Sequence, residues 1–328
     1  MKNLLFALVL MLLGILISFV MLEGYVRLTQ TDGQNFDIEM WRYAKDLKRV
    51  SSIPGMGHEH VPGQSGTYMG VPVSISGHGW GYQEYALEKP SQVIRIMMLG
   101  DSVTFGWGAP PEGVTSNILE KRLNQDPDSP HYQVLNTGIG NSNTAMQVAY
   151  FLHTGYKFEP DIVVLNYFIN DAEPTPTRKD NILIENLYSA VYLAGRIDIV
   201  KRMYLGHSDW KTYYQNLYRP QAPGWLATQE ALSRLSAFCK QNGIALLLAH
   251  YPELHELAPY PFQNVQDLLR KEAQKNGIPF VDLLPSVIGE DPSSFWVTPT
   301  DAHPNGKAGQ RFAGTLHTAL QQYFPRFF

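Results

Sequence analysis

The chain has 328 residues, 44% of them hydrophobic, enough for a sizeable core in one large domain or two small ones. A formal net charge of −4, with charged residues at 17%, offers nothing to a polyanion, so nucleic acid is excluded as a partner. The single cysteine, Cys239, excludes an internal disulfide and a cysteine-based zinc cluster, and in Leu235-Ser236-Ala237-Phe238-Cys239 it reads as an inert core residue.

The first element is an apolar run from Leu4 to Leu22, preceded by Lys2 and ended by Glu23. As a helix it spans roughly 28 Å, close to the hydrocarbon core of a bilayer. It is longer than an ordinary signal-peptide core and no A-x-A cleavage pattern follows, so residues 1–24 are expected to be an uncleaved transmembrane anchor. The positive charge before the run favours a cytoplasmic N-terminus, which places the rest of the chain outside the cytoplasm, in the periplasm of a Gram-negative cell. Residues 25–90 carry weak periodicity and read as a stalk and lead-in on the edge of the main domain. Val61 to Gly66 reads as turn, and Val71 to Ser76 alternates like a short edge strand. His58-Glu59-His60 looks metal-like, but its spacing suits a strand or loop rather than H-E-x-x-H, and no third ligand is obvious; no metal is expected.

From Gln92 the pattern is strand and helix in alternation. Apolar runs at 93–99, 132–135, 161–167, 244–249 and 279–284 read as strands. Helical spacing covers 112–123, 144–156, 225–241, 262–275 and 304–323, with Asn242-Gly243 and Asn276-Gly277 as stop signals. Five continuous apolar runs separated by helices predict a parallel sheet covered on both faces, hence one three-layer α/β domain of doubly wound type over 91–328. The stretch 175–223 breaks the rhythm and carries Trp210, Tyr213, Tyr214 and Tyr218. It is either an extra helical layer on the sheet or a wall over a binding site.

The strand at 93–99 stops at Gly100, and Asp101-Ser102 follows. Ligands bind past the carboxyl ends of strands in such sheets, so Ser102 is a candidate nucleophile. It needs a histidine base whose other ring nitrogen is held by a carboxylate. Thr300-Asp301-Ala302-His303-Pro304 supplies both, with Pro304 suited to the first position of the last helix. Oxyanion donors are available at two more strand ends. Asn136-Thr137-Gly138-Ile139-Gly140-Asn141 offers backbone N–H groups, and Asn166 to Asp171 offers the side chain of Asn170. Asp101 adjoins the serine, but it suits bracing the loop better than orienting the histidine.

Gly100-Asp101-Ser102, the glycine-rich block, Asn170-Asp171 and Asp301/His303 stand in the order of the SGNH (GDSL) hydrolase family, which the region from Gln92 to Phe328 resembles. The resemblance implies a flavodoxin-like α/β/α sandwich with Ser102 as nucleophile, His303 as base and Asp301 as its acid. It further implies that Ser102 N–H, a backbone N–H of the glycine-rich block and Asn170 form the oxyanion hole, with no cofactor. Three departures from the family pattern stand out. Asn141 occupies the place of the second glycine of N-x-G-x-x-G, with Gly140 one earlier, so either N–H is a candidate. Phe168 replaces the glycine of G-x-N-D. The last block, D-x-x-H in the family, here has Asp301 two residues before His303, with Thr300 in the usual acid position. Membrane-anchored members near bacterial polysaccharide export look like this, so the resemblance implies a serine esterase acting on a short-chain carbohydrate or polysaccharide ester. An O-acyltransferase using the same residues and a non-catalytic polysaccharide-assembly protein on the same fold are the alternatives.

Overall fold

The computed structural model describes residues 2–127, 129–176, 182–204 and 209–328. Residues 177–181 and 205–208 of the long stretch after the third apolar run lie outside the described residues. In chain order the elements begin with α1 (Lys2–Thr29) and α2 (Phe36–Leu47). Two small antiparallel pairs follow, β1 (Lys48–Val50) with β2 (His58–His60), and β3 (Ser65–Tyr68) with β4 (Val71–Ser74). The body comprises β5 (Val93–Leu99), α3 (Ser102–Phe105), α4 (Thr115–Leu123), β6 (His131–Asn136), α5 (Thr144–His153) and β7 (Ile162–Tyr167). It continues with α6 (Ile182–Asn186), α7 (Tyr188–Tyr204), α8 (Trp210–Leu217), α9 (Pro223–Gln241), β8 (Ala245–His250), α10 (Gln263–Lys275) and β9 (Phe280–Asp282). The chain closes with β10 (Trp296–Thr298), β11 (Asp301–Pro304) and α11 (Gly306–Tyr323).

Five strands form one parallel sheet in the order β6-β5-β7-β8-β9. Alternate residues of each strand face opposite sides, and both sides are apolar. Met97, Leu99, Val163, Leu165, Leu246 and Leu248 pack with residues of α5, α9 and α10, including Phe151, Leu235 and Leu269. Ile96, Met98, Ile162, Val164, Leu247 and Ala249 pack with residues of α4 and α11, including Leu119, Phe312 and Leu316. This is the three-layer α/β/α sandwich. The chain leaves β5 toward β6 and then returns past it to β7, so the strand order reverses at β5, where a crevice opens at the carboxyl ends.

One charged side chain lies deep in the middle of this sheet's first strand in chain order. Arg95, in β5, is fully buried. Its guanidinium donates to Gln133 Oε1 at 2.8 Å and to the carbonyls of Leu87, Phe158, Ala86 and Glu88 at 2.9, 2.8, 2.7 and 3.1 Å. All five of its N–H donors are used, which is what makes a buried guanidinium tolerable. The same bonds fasten residues 86–88 to the sheet.

Residues 25–90 are not a free stalk. Tyr43, Leu47, Tyr68, Met69, Val73 and Ile75 form a small core with Phe105 of α3 and Trp107 just after it. The stretch after β7 divides: Tyr218, with Trp210, Tyr214 and Leu217 of α8, packs on the sheet face that α5, α9 and α10 cover, while the helix before them packs elsewhere. That helix, α7, packs on α1 and α2 through Val191, Val26 and Ile38. Glu23 of α1 accepts the Tyr188 and Ser189 N–H groups at 3.2 and 2.8 Å, placing a carboxylate at the α7 N-terminus. Helix α1 is long and apolar enough to cross a membrane, and none of its most apolar window is buried. Replacing Arg95 with Met should strand several buried carbonyls and lower stability by about 3 kcal/mol or more. A fall in the urea midpoint, followed by tryptophan fluorescence, measures it.

Candidate active site

Ser102 sits at the end of β5 because the residues before it permit a sharp departure. A Cβ on Gly100 would lie 1.9 Å from Thr104 Oγ1, so no other residue fits there without displacing Thr104. Asp101 then caps the single-turn helix α3, accepting the Val103 N–H at 2.9 Å. Gly106, at φ +85°, ends that turn with its N–H on the Ser102 carbonyl at 3.0 Å. Ser102 is thus held at the first position of a helix. It is 5% exposed.

From the far end of the chain comes its partner. The Ser102 hydroxyl donates to His303 Nε2 at 2.9 Å, and His303 Nδ1–H donates to Asp301 Oδ1 at 2.6 Å. The His303 backbone N–H reaches the same carboxylate oxygen at 3.0 Å, and Trp107 Nε1 donates to Oδ2 at 3.2 Å. The Nδ1–H tautomer leaves the Nε2 lone pair facing the serine. Burial pushes the Asp301 carboxyl up, but the His303 ring and the N–H groups around it outweigh burial and hold it below the usual carboxylate range. Burial pushes His303 down, and Asp301, then Asp101 and Glu253, outweigh it and raise the ring above an ordinary histidine.

Expected as the start of the last helix, Pro304 is instead the last residue of β11, which pairs with β10 (Trp296 opposite Pro304, Thr298 opposite Asp301). Asn305 is the helix cap, accepting the Lys307 and Ala308 N–H groups at 3.0 and 3.2 Å. The correction explains the spacing. On an extended strand, residues two apart project to the same face, so Asp-x-His aligns carboxylate and imidazole, as a turn would for a wider spacing.

The glycine-rich block folds beneath the serine. Asn136 Nδ2 donates to the Thr104 carbonyl at 2.7 Å and to Ser116 Oγ at 2.9 Å. A Cβ on Gly138 would lie 2.4 Å from the Phe105 backbone nitrogen, so the loop runs in backbone contact with α3. Gly140 and Asn141 differ in a way the residues alone did not reveal. The Gly140 N–H is spent on the Tyr43 hydroxyl at 3.0 Å. Asn141 takes φ +60°, the left-handed conformation that asparagine tolerates best after glycine. Its N–H, like that of Ser102, has no acceptor among the described residues.

At the end of β7 the turn Ile169–Ala172 carries Asn170 and Asp171. The Asn170 amide hydrogen-bonds the Asp101 carboxylate, which brings it beside Ser102, and its carbonyl oxygen is buried without a partner. Asp171 is buried, accepting Phe168 N–H and Gln147 Nε2 at 2.7 Å each. Burial, with the Asp101 charge added, pushes its carboxyl well up. Burial also raises Asp101, against the Val103 N–H that lowers it.

Several residues at the site were not anticipated. Phe36 lies 6.0 Å from the His303 ring in a stacked arrangement, and Tyr43 and Trp107 touch the loops of the site. His58 and His60 do not converge on a cation position: His58 Nε2 is 3.1 Å from the Gly140 carbonyl and His60 Nε2 is 2.5 Å from the Tyr43 hydroxyl. Among the described residues no three His, Cys, Asp or Glu side chains could hold a metal ion. The alternation of His58 and His60 was their one sequence signal; Phe36 and Tyr43 had none.

With this geometry in place, residues 98–311 match the family model of the GDSL-like lipase/acylhydrolase family. The chain belongs to that family. Among solved structures, TesA is similar at 16% identity over 70% of this chain and 98% of that one, with a TM-score of 0.45. A GDSL-like lipase from Bacteroides thetaiotaomicron VPI-5482 is similar at 17% identity over 70% and 88%, with a TM-score of 0.41. A two-domain esterase active on acetylated mannans is similar at 18% identity over 70% and 49%, with a TM-score of 0.45. No curated protein matches the sequence. The GDSL family members are hydrolases acting on esters, and an Asp–His–Ser chain is suited to that chemistry. Replacing Asp301 with Asn removes the largest of the charges that oppose burial at His303. The His303 ring should then titrate lower than in the unsubstituted protein, as followed by imidazole proton resonances across the pH range.

Proposed function

We propose that this GDSL-family hydrolase is a serine esterase that works through an acyl-Ser102 intermediate. The observation that carries the reading is the unbroken chain from Asp301 through His303 to Ser102, assembled from opposite ends of the domain. In the first half-reaction, the Ser102 oxygen attacks the ester carbonyl carbon as its proton passes to His303 Nε2. Negative charge grows on the carbonyl oxygen, where the Ser102 and Asn141 N–H groups and the free N–H of the Asn170 amide stabilise it. The tetrahedral species collapses, the ester C–O bond breaks, and His303 returns the proton to the departing alcohol. Water then repeats the sequence on the acyl-serine, with His303 as base, and releases the carboxylic acid. The reaction needs His303 neutral, so kcat/KM is expected to rise with pH through the raised pKa of that ring and to fall below it.

We further propose a carbohydrate ester as substrate, with the domain tethered by α1 outside the cytoplasm. Beside the His303 strand runs a row of rings. Trp296 of β10 and Trp210 of α8 lie 5.1 and 5.3 Å from His255, and Trp296 is fixed by donating to the Leu254 carbonyl at 3.0 Å. Flat apolar rings around His255, which pairs with the Glu253 carboxylate, suit a sugar, which has apolar faces and a rim of hydroxyls. Carbohydrate recognition there fits the reading of the tyrosine- and tryptophan-bearing stretch as a wall of the site.

Ser102→Ala is expected to abolish hydrolysis of p-nitrophenyl acetate and labelling by a fluorophosphonate; turnover at the wild-type level would end the acyl-serine reading. Trp296→Ala should raise KM for an acetylated oligosaccharide by roughly tenfold, the loss of about 1.4 kcal/mol of ring contact, and leave p-nitrophenyl acetate unaffected. Acyl transfer to the oligosaccharide in place of acid release, read by mass spectrometry, would replace hydrolysis with group transfer.

A further inference from the structure

The peptide unit joining Gly140 to Asn141 has two ends in different surroundings. Its N–H belongs to Asn141, the backbone donor assigned above to the oxyanion. Its carbonyl oxygen points the other way, into the lead-in segment, where Lys48 Nζ donates to it at 3.0 Å. His58, as the Nε2–H tautomer, donates to the same oxygen at 3.1 Å. One residue earlier a second chain of bonds fixes the loop. The Gly140 N–H donates to the Tyr43 oxygen at 3.0 Å, the Tyr43 hydroxyl donates to His60 Nε2 at 2.5 Å, and His60 Nδ1–H donates to the Gly79 carbonyl at 3.1 Å. A Cβ on Gly140 would lie 2.8 Å from the Tyr43 ring, so the contact is close-packed as well as hydrogen-bonded. All these side chains lie between residues 43 and 60, outside the stretch 98–311 that matches the family.

The charge in this cluster is unbalanced. Lys48 faces the Tyr43 ring at 5.0 Å, His58 at 3.5 Å and, across the β1–β2 pairing, His60. Burial holds both histidines neutral, at about 4 and about 3, with the Lys48 charge adding to the effect. Among the described residues no carboxylate pairs with the ammonium. Burial pushes the Lys48 amine down to about 8. A half-buried ammonium kept without a counter-ion carries a desolvation cost, so its strong acceptor, the Gly140 carbonyl, bears on what it is for.

We propose that Lys48 is a positioning residue for the oxyanion hole: its ammonium, with the His58 N–H, anchors and polarises the Gly140 carbonyl, so that the Asn141 N–H at the other end of the same peptide unit is fixed toward the substrate and made a stronger donor. A cation on the oxygen of an amide draws density from its nitrogen, and hydrogen bonds in such a chain strengthen one another. The field is in place before the reaction, where it acts on charge that develops only in the transition state. The inference rests on the acyl-serine reading above. It makes the lead-in part of the catalytic apparatus, and it gives activity an upper pH limit. Lys48 is charged below about 8 and neutral above it, so polarisation is present on the acid side of that value and fades on the alkaline side.

The test uses the full chain in detergent, with p-nitrophenyl acetate and kcat and KM measured from about pH 6 to about pH 10 after subtraction of spontaneous hydrolysis. Lys48→Met should lower kcat at neutral pH by roughly tenfold, less than the 10²–10³ for loss of a whole donor, with KM within about twofold. It should also remove the alkaline limb near pH 8. Lys48→Arg should restore most of kcat and move that limb above the measured range, because a guanidinium stays charged. A wild-type kcat in Lys48→Met, or an alkaline limb that persists in it, overturns the proposal. Should Lys48→Met lose its near-ultraviolet circular dichroism, Lys48→Arg decides alone: a limb still near pH 8 overturns the proposal, and one displaced upward supports it. Ser102→Ala in the same assay separates the two inferences. An inactive Ser102→Ala beside a Lys48→Met of wild-type kcat removes only the role of Lys48, whereas an active Ser102→Ala removes the acyl-serine reading itself.

Discussion

The 2.9 Å hydrogen bond between Ser102 and His303 joins residues 201 positions apart, and it constrains the whole domain. The serine is fixed to the carboxyl end of β5, the strand at which the sheet order reverses. The histidine is fixed to a two-stranded ribbon just before α11, and α11 packs on the face of the sheet that α4 also covers. For the two to meet, the sheet must have its full set of parallel strands, and α11 must seat against β5 and β7. Burial on both faces supplies this alignment. With Ile96, Met98, Ile162 and Val164 all inaccessible, a shift of one strand by one residue would turn its apolar side chains to the wrong layer. The precision of the site is therefore inherited from the core.

Buried charge is arranged around that constraint in two ways. Arg95 is neutralised by geometry, since five acceptors surround one guanidinium. Asp101 and Asp171 are instead two carboxylates within the same interior, each raised by burial, the second raised further by the first. Backbone and amide N–H groups from Val103, Phe168 and Gln147 brace them. Neither is the acid that orients His303. That task falls to Asp301, which sits among N–H donors rather than carboxylates and so keeps its charge.

Much of this was legible in the residues. The five strands showed as apolar runs because a parallel sheet covered on both faces leaves few polar positions, Arg95 and Gln133 being exceptions that satisfy each other. Ser102, Asn170, Asp301 and His303 stood out because they follow strand ends or precede a helix, where polar residues must have a reason. What escaped notice has physical causes. Pro304 reads as a helix start by local preference, but its neighbour strand at Trp296 took it into a ribbon; proline is accepted at such a strand end. That the Gly140 N–H is taken while the Asn141 N–H is left open depends on Tyr43, about a hundred residues earlier, and no local pattern carries that information. The lead-in was illegible for the same reason: its short strands pair with one another and its core is completed by Phe105 and Trp107 from elsewhere. The stretch bearing α7 resisted because its apolar face is satisfied by α1 and α2 rather than by the sheet.

The contact between α1 and α7 has a mechanical consequence. Helix α1 is 28 residues long, about 42 Å, and its last turns are already part of the folded body through Glu23 and Val26. Where its apolar portion crosses a bilayer, no slack chain separates lipid from enzyme. The domain then stands on a short rigid mast rather than on a leash, and its cleft sits at a set height and orientation above the surface. Such an enzyme does not sweep a volume. It works on ester that reaches one narrow zone next to the membrane, and its encounter rate is governed by delivery to that zone rather than by its own diffusion.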